Sequence, residues 1–131
     1  MGTYGYLIVA AVVVVVWIMM HPRGLTDEAS ARRHLERGAR VIDVRSPEEH
    51  NQGHLEGVMN VPLPELASRI GTVAPDKSQV LLLHCRSGAR SSVAERRLRA
   101  LGYKEVHNLG SYARAEKILA GSGYSPHPVA R

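Results

Sequence analysis

Apolar and polar positions change rhythm along the chain, and each rhythm predicts an element. The first block has no rhythm: Tyr4 to Met20 reads YGYLIVAAVVVVVWIMM, with no charge and no proline. After a short linker, HPRGL, punctuation begins. TDEASARRHLERG (26–38) predicts a helix with Thr26 as N-cap, acids in the first turn and Gly38 as its stop. ARVIDVR (39–45) predicts a buried strand. SPEEHNQG (46–53) predicts a helical turn opened by Ser46 and Pro47. VMNVP (58–62) predicts a short strand and PELASRIG (64–71) a short helix. QVLLLH (79–84) is too continuously apolar for an exposed edge strand. RSSVAERRLRALG (90–102) predicts a helix with Ala94, Leu98 and Leu101 on one face and Gly102 at its end. KEVHNL (104–109) and SYARAEKILAG (111–121) predict a last strand and a last helix. Strands interleaved with helices predict an α/β fold, a parallel sheet with helices on both faces. Three regions follow: an N-terminal segment at 1–22, one folded domain at 23–124 and a flexible tail at 125–131.

The uncharged block measures roughly 25 Å as a helix, the short end of what crosses a bilayer. Tyr4, Tyr6 and Trp17 stand near its ends, as interfacial aromatics do. A cleaved signal peptide fits less well, because no Lys or Arg precedes the block and no A-x-A-like site follows it. A buried core element fits less well still, given the length and position. The expectation is therefore a single-pass membrane anchor. Arg23, Arg32, Arg33, Arg37 and Arg40 follow the block, which places the folded domain in the cytoplasm.

Composition narrows the partners. The formal net charge is +5, which suits nucleic acid, an acidic membrane surface or small anions. Aromatics make up only 5% of residues and phenylalanine is absent, so a base-stacking surface for nucleic acid is not expected. The single cysteine excludes an internal disulfide. The seven histidines show no metal-ligand spacing, so no metal site is expected.

That cysteine carries the chemistry. In VLLLHCRSGARSS, Cys85 follows a buried strand and precedes a glycine loop and a helix. Helix N-termini offer free N–H groups and partial positive charge, and a tight glycine loop can turn more amides inward as an anion nest. Arg86 and Arg90 add full charges. A thiol there loses its proton readily, with pKa values of roughly 3.5–7.5 in such surroundings. An inert, packed thiol is the alternative for a lone cysteine.

The segment HCRSGARSS resembles the active-site loop of the rhodanese family of single-domain sulfurtransferases. VIDVRSPEEHNQGHLEGVMNVPL resembles the family's first signature segment, and the two segments together with the order of elements cover about residues 25 to 120. The resemblance implies the rhodanese-like fold and sulfur transfer through a cysteine persulfide. Thiosulfate or a related anionic donor would load Cys85, and cyanide or a thiol would unload it. It implies that the amides of Arg86, Ser87, Gly88, Ala89 and Arg90 cradle the outer sulfur, with Arg86 and Arg90 binding the donor's oxyanion. Asp43 and Arg45 would support the loop. No metal or organic cofactor is implied. Phosphatases of this fold place a longer stretch between cysteine and arginine than the four residues 86–89, which disfavours that chemistry. With no second thiol, the sulfur must leave to an external acceptor, and a sulfur-accepting protein is a candidate partner. The alternatives are a membrane-tethered persulfide carrier with little turnover and a binding module with an inert loop.

Other residues read more plainly. His54 is expected as a packed or capped side chain. His84 could lower the thiol pKa if protonated, unless it points away. Arg96, Arg97 and Arg99 form a solvated face that could also steer anions. Near the end the chain departs from the family: Ser111 replaces a glycine and no tryptophan follows, which leaves substrate preference open.

Overall fold

The computed structural model describes residues 2–20 and 24–124, so most of the linker (21–23) and the expected flexible tail (125–131) lie outside the described residues. Helix α1 (Thr3–Met20) carries the uncharged block, and its side chains from Leu7 to Trp17 stay largely exposed. Among the described residues no helix is long and apolar enough to cross a membrane. The expected single-pass anchor, and with it the orientation inferred from the arginines, is therefore not supported.

Four short strands build one sheet: β1 (Arg40–Asp43), β2 (Met59–Asn60), β3 (Leu81–His84) and β4 (Val106–Gly110). Their order is β2-β1-β3-β4, and every pair is parallel. The predicted parallel α/β fold is what forms. Five further helices connect and flank the strands: α2 (Glu28–Glu36), α3 (Pro47–Gln52), α4 (Leu66–Val73), α5 (Ala89–Ala100) and α6 (Tyr112–Ala120).

Alternation along the central strand divides the core. Leu81, Leu83 and Cys85 pack with Ile70, Ala94 and Leu98 from α4 and α5. Leu82 packs on the other face with Ala31, Leu35, Ala115 and Ile118 from α2 and α6. All four residues of β3 are buried, each leucine stabilising the fold by roughly 1.5–3 kcal/mol.

Three local expectations are revised. The N-cap of α2 is Asp27, whose Oδ2 accepts from the Ser30 amide at 3.0 Å. Thr26 lies one residue before that cap, its amide donating to the Asn108 carbonyl as the chain runs beside β4. Helix α4 starts after a one-turn 3-10 segment (Leu63–Glu65) and runs past Gly71, since Leu66, Ile70 and Val73 bury one stripe. Leu101 leaves the buried face of α5: it is the C-cap and is exposed, the chain turning at Gly102 with φ +98°.

Candidate active site

The carboxyl ends of β1, β3 and β4 meet at one point. Asp43 pairs in register with His84, and His84 with Gly110 across an irregularity in the β3–β4 ladder. Cys85 is the next residue, its amide donating to the Gly110 carbonyl at 3.2 Å. Residues 85–88 then turn into α5, with Gly88 as N-cap at φ +97°. That left-handed conformation favours glycine. A Cβ at Gly88 would also stand 3.3 Å from Gly110 Cα, so the loop closes tightly onto the end of β4. Asn108 fastens this closure. Its Oδ1 accepts from the Gly110 amide at 2.8 Å and its Nδ2 donates to the Gly88 carbonyl at 3.3 Å.

The loop turns donors onto the sulfur. The Gly88 amide lies 3.0 Å from Cys85 Sγ, and Ser91 Oγ lies 3.5 Å from it. Cys85 is fully buried, and burial pushes its thiol pKa up. The hydroxyl and amide of Ser91, with the amides of Gly88 and Ser87, outweigh that and hold it below the ordinary thiol value. The sulfur is therefore sunk in the core and still ringed by donors. A thiolate so held is the nucleophilic form.

The two arginines of the loop part company. Arg90 donates to both carboxylate oxygens of Glu49, at 2.6 and 2.9 Å. Glu49 is also half of the capping box that opens α3: the Glu49 amide donates to Ser46 Oγ and Glu49 Oε1 accepts from the Ser46 amide. The Arg90 guanidinium, with help from Ser46, lowers the Glu49 carboxyl to about 2. Arg90 itself titrates higher, because of Glu49 first and with a contribution from the Cys85 charge. Arg86 is exposed and lines a cleft of about 480 Å³ with Arg45, Glu49, Gln52, Gly53 and Tyr112. Ser87 and Ala89, the other loop positions, are exposed.

Asp43 and Arg45 form the buried support of this cleft. Arg45 reaches Asp43 through Nε, Nη2 and its own amide at 2.7–3.0 Å, and donates to the Gly53 carbonyl at 2.8 Å. His50 Nδ1 is 2.9 Å from Asp43 Oδ2. Burial raises the Asp43 pKa, but Arg45 and His50 overcome it and keep the carboxylate below its ordinary value. The Arg45 guanidinium lies 4.8 Å from the centre of the Tyr112 ring. Thus the segment without the family's tryptophan still lends an aromatic wall to the cleft.

His84 faces away from the thiol, as strand alternation requires. Its ring meets Tyr112 edge-on at 5.8 Å, and its Nδ1 lies 3.2 Å from the Cys85 carbonyl oxygen. Burial lowers its pKa, so it is neutral at pH 7 and adds no positive charge near the sulfur. His54 is exposed and stacks on His50 at 4.1 Å.

Sequence reasoning did not single out Glu49, Ser91, Asn108 and Tyr112. Ser91 had a signal, standing at the helix start just after the glycine. Glu49 had one too, as an acid three residues beyond Ser46. Asn108 and Tyr112 had none, because their roles come from β4 and α6 folding against the loop.

An α/β domain with a donor-ringed thiol at the carboxyl end of its central strand defines the class. The family model of the rhodanese-like domain matches residues 27–115. The chain belongs to the rhodanese-like domain family. It is 42% identical over 69 residues to the thiosulfate sulfurtransferase PspE of Escherichia coli, covering 53% of this chain and 66% of that protein. Among solved structures it is similar to an E. coli rhodanese with anions, with TM-score 0.57 and 38% identity, covering 59% of this chain and 91% of that one. The human single-domain sulfurtransferase TSTD1 gives TM-score 0.61 and 29% identity, covering 71% of this chain and 95% of that one.

Proposed function

We propose that this protein is a rhodanese-type sulfurtransferase that carries sulfane sulfur as a persulfide on Cys85. The observation that carries the proposal is the pair of donors aimed at Cys85 Sγ, the Gly88 amide and the Ser91 hydroxyl. In the first step the thiolate attacks the outer sulfur of thiosulfate. A new S–S bond forms, the bond to the sulfonate sulfur breaks, and sulfite leaves with that electron pair. The amides of residues 86–90 then hold the negative charge of the terminal persulfide sulfur. In the second step cyanide or an external thiolate attacks the terminal sulfur, and Cys85 recovers its electron pair. Ping-pong kinetics follow from the covalent intermediate.

In this reading Arg86 meets the donor's sulfonate, a role its exposure on the cleft supports. Arg90 acts through its field, since Glu49 engages both terminal nitrogens of its guanidinium. Asp43 and Arg45 hold the floor on which the loop rests. Cys85 is completely buried, so a donor reaches the sulfur only when the surrounding residues give way. The same burial favours a second reading, a persulfide carrier that loads once and releases slowly to a protein thiol. A thiosulfate:cyanide assay separates the two. Steady turnover that vanishes in Cys85→Ser supports the enzyme, a single stoichiometric loading supports the carrier, and turnover retained in Cys85→Ser rules out both.

A further inference from the structure

A second group of ligating side chains lies at the opposite end of the sheet from Cys85, where the strands begin. His34 stands in the last turn of α2, Glu105 directly precedes β4, and His107 is the second residue of β4. Alternation sends Val106 into the α5 face of the core and His107 to the other face, toward α2. There the His34 and His107 rings stack with centroids 4.4 Å apart. His107 Nε2 lies 3.1 Å from Glu105 Oε2. One ligand atom from each of the three residues lies within 4.8 Å of the others.

We propose that His34, Glu105 and His107 bind a divalent d-block cation of the zinc class. Two imidazole nitrogens and one carboxylate oxygen suit zinc better than magnesium or calcium, which prefer all-oxygen shells. Ligand atoms about 2.0–2.1 Å from a tetrahedral ion stand roughly 3.3 Å apart. The His107–Glu105 pair already has that separation. Rotation of the half-exposed His34 ring closes the remainder. Three protein ligands leave the fourth position to water or to a group from outside. The bound ion would tie the end of α2 to the start of β4. Arg33 and Arg37 lie close enough to His34 to oppose a cation, although Arg33 is turned to Ser30 Oγ at 2.8 Å. Spacing along the sequence concealed the group, because its ligands come from distant parts of the chain.

The test is zinc titration of the tag-free, full-length Cys85→Ser chain by calorimetry, a variant that removes the competing thiolate. One equivalent should bind, and the melting temperature should rise with zinc. His34→Gln, Glu105→Gln and His107→Gln should each weaken binding about tenfold or more while circular dichroism stays native. His54→Gln, at the other histidine pair, should leave binding unchanged. Cobalt should give the intense visible bands of a four-coordinate site, and these should disappear in His107→Gln. No saturable binding, or binding that survives both His34→Gln and His107→Gln, overturns the proposal.

Discussion

The Gly88 amide stands 3.0 Å from Cys85 Sγ, and it can do so only because Gly88 takes φ +97° against the end of β4. An alanine there meets both a left-handed backbone and Gly110 Cα at 3.3 Å. Gly88→Ala should cost about 1–2 kcal/mol of stability, seen as a lower urea midpoint. It should also slow persulfide formation more than it slows alkylation of the unfolded thiol. Unchanged loading would mean that the amide does not serve the sulfur.

Ser91 shares one hydroxyl proton between Cys85 Sγ and the Gly88 carbonyl, 3.5 and 3.1 Å away. Its loss should raise the thiol pKa. The pH profile of iodoacetamide alkylation should move to higher pH in Ser91→Ala, with the high-pH plateau little changed. A profile that stays put or moves down would remove Ser91 from the cradle.

The Asp43–Arg45 pair is buried on both sides. Removing Arg45 leaves a carboxylate with His50 as its remaining side-chain partner. Arg45→Ala should therefore destabilise the domain by about 3–5 kcal/mol in urea unfolding. Arg45→Lys should recover only part of this, because one ammonium cannot reproduce the several bonds of the guanidinium.

Glu49 titrates at about 2 in the folded chain against an ordinary value of 4.5. A depressed carboxyl stabilises the fold at pH above 4.5, and that contribution fades as pH falls toward 2. Glu49→Gln should thus flatten the fall of melting temperature between pH 4.5 and 2. The pair is partly exposed, so raising salt should shrink the difference between the two proteins.

Most of the fold was legible because local signals and burial agreed. The run QVLLLH reads as a buried strand, and its four structured residues are all buried at the centre of the sheet. Ser46 and Pro47 announced α3, and the capping box formed there. The cap of α2 was misplaced by one residue because Thr26 and Asp27 are both good capping residues side by side, and it is Asp27 whose carboxylate accepts from the Ser30 amide. The N-terminal block showed the limit of composition: its apolar character was plain, while among the described residues no helix is long and apolar enough to cross a membrane. At the site, Cys85 and its loop were legible because strand, glycine and helix are contiguous in sequence. The Arg90–Glu49 pair was not, since α3 and α5 meet only after folding. The resemblance implied a substrate role for Arg90, and the folded chain pairs its guanidinium with Glu49.

Sulfur loading of Cys85 is read most directly by intact-mass measurement after treatment with thiosulfate. The chain should gain the mass of one sulfur atom, lose it again on adding cyanide, and show no gain in Cys85→Ser. A wild-type mass unchanged by thiosulfate, or the same gain in Cys85→Ser, would contradict persulfide chemistry at this cysteine.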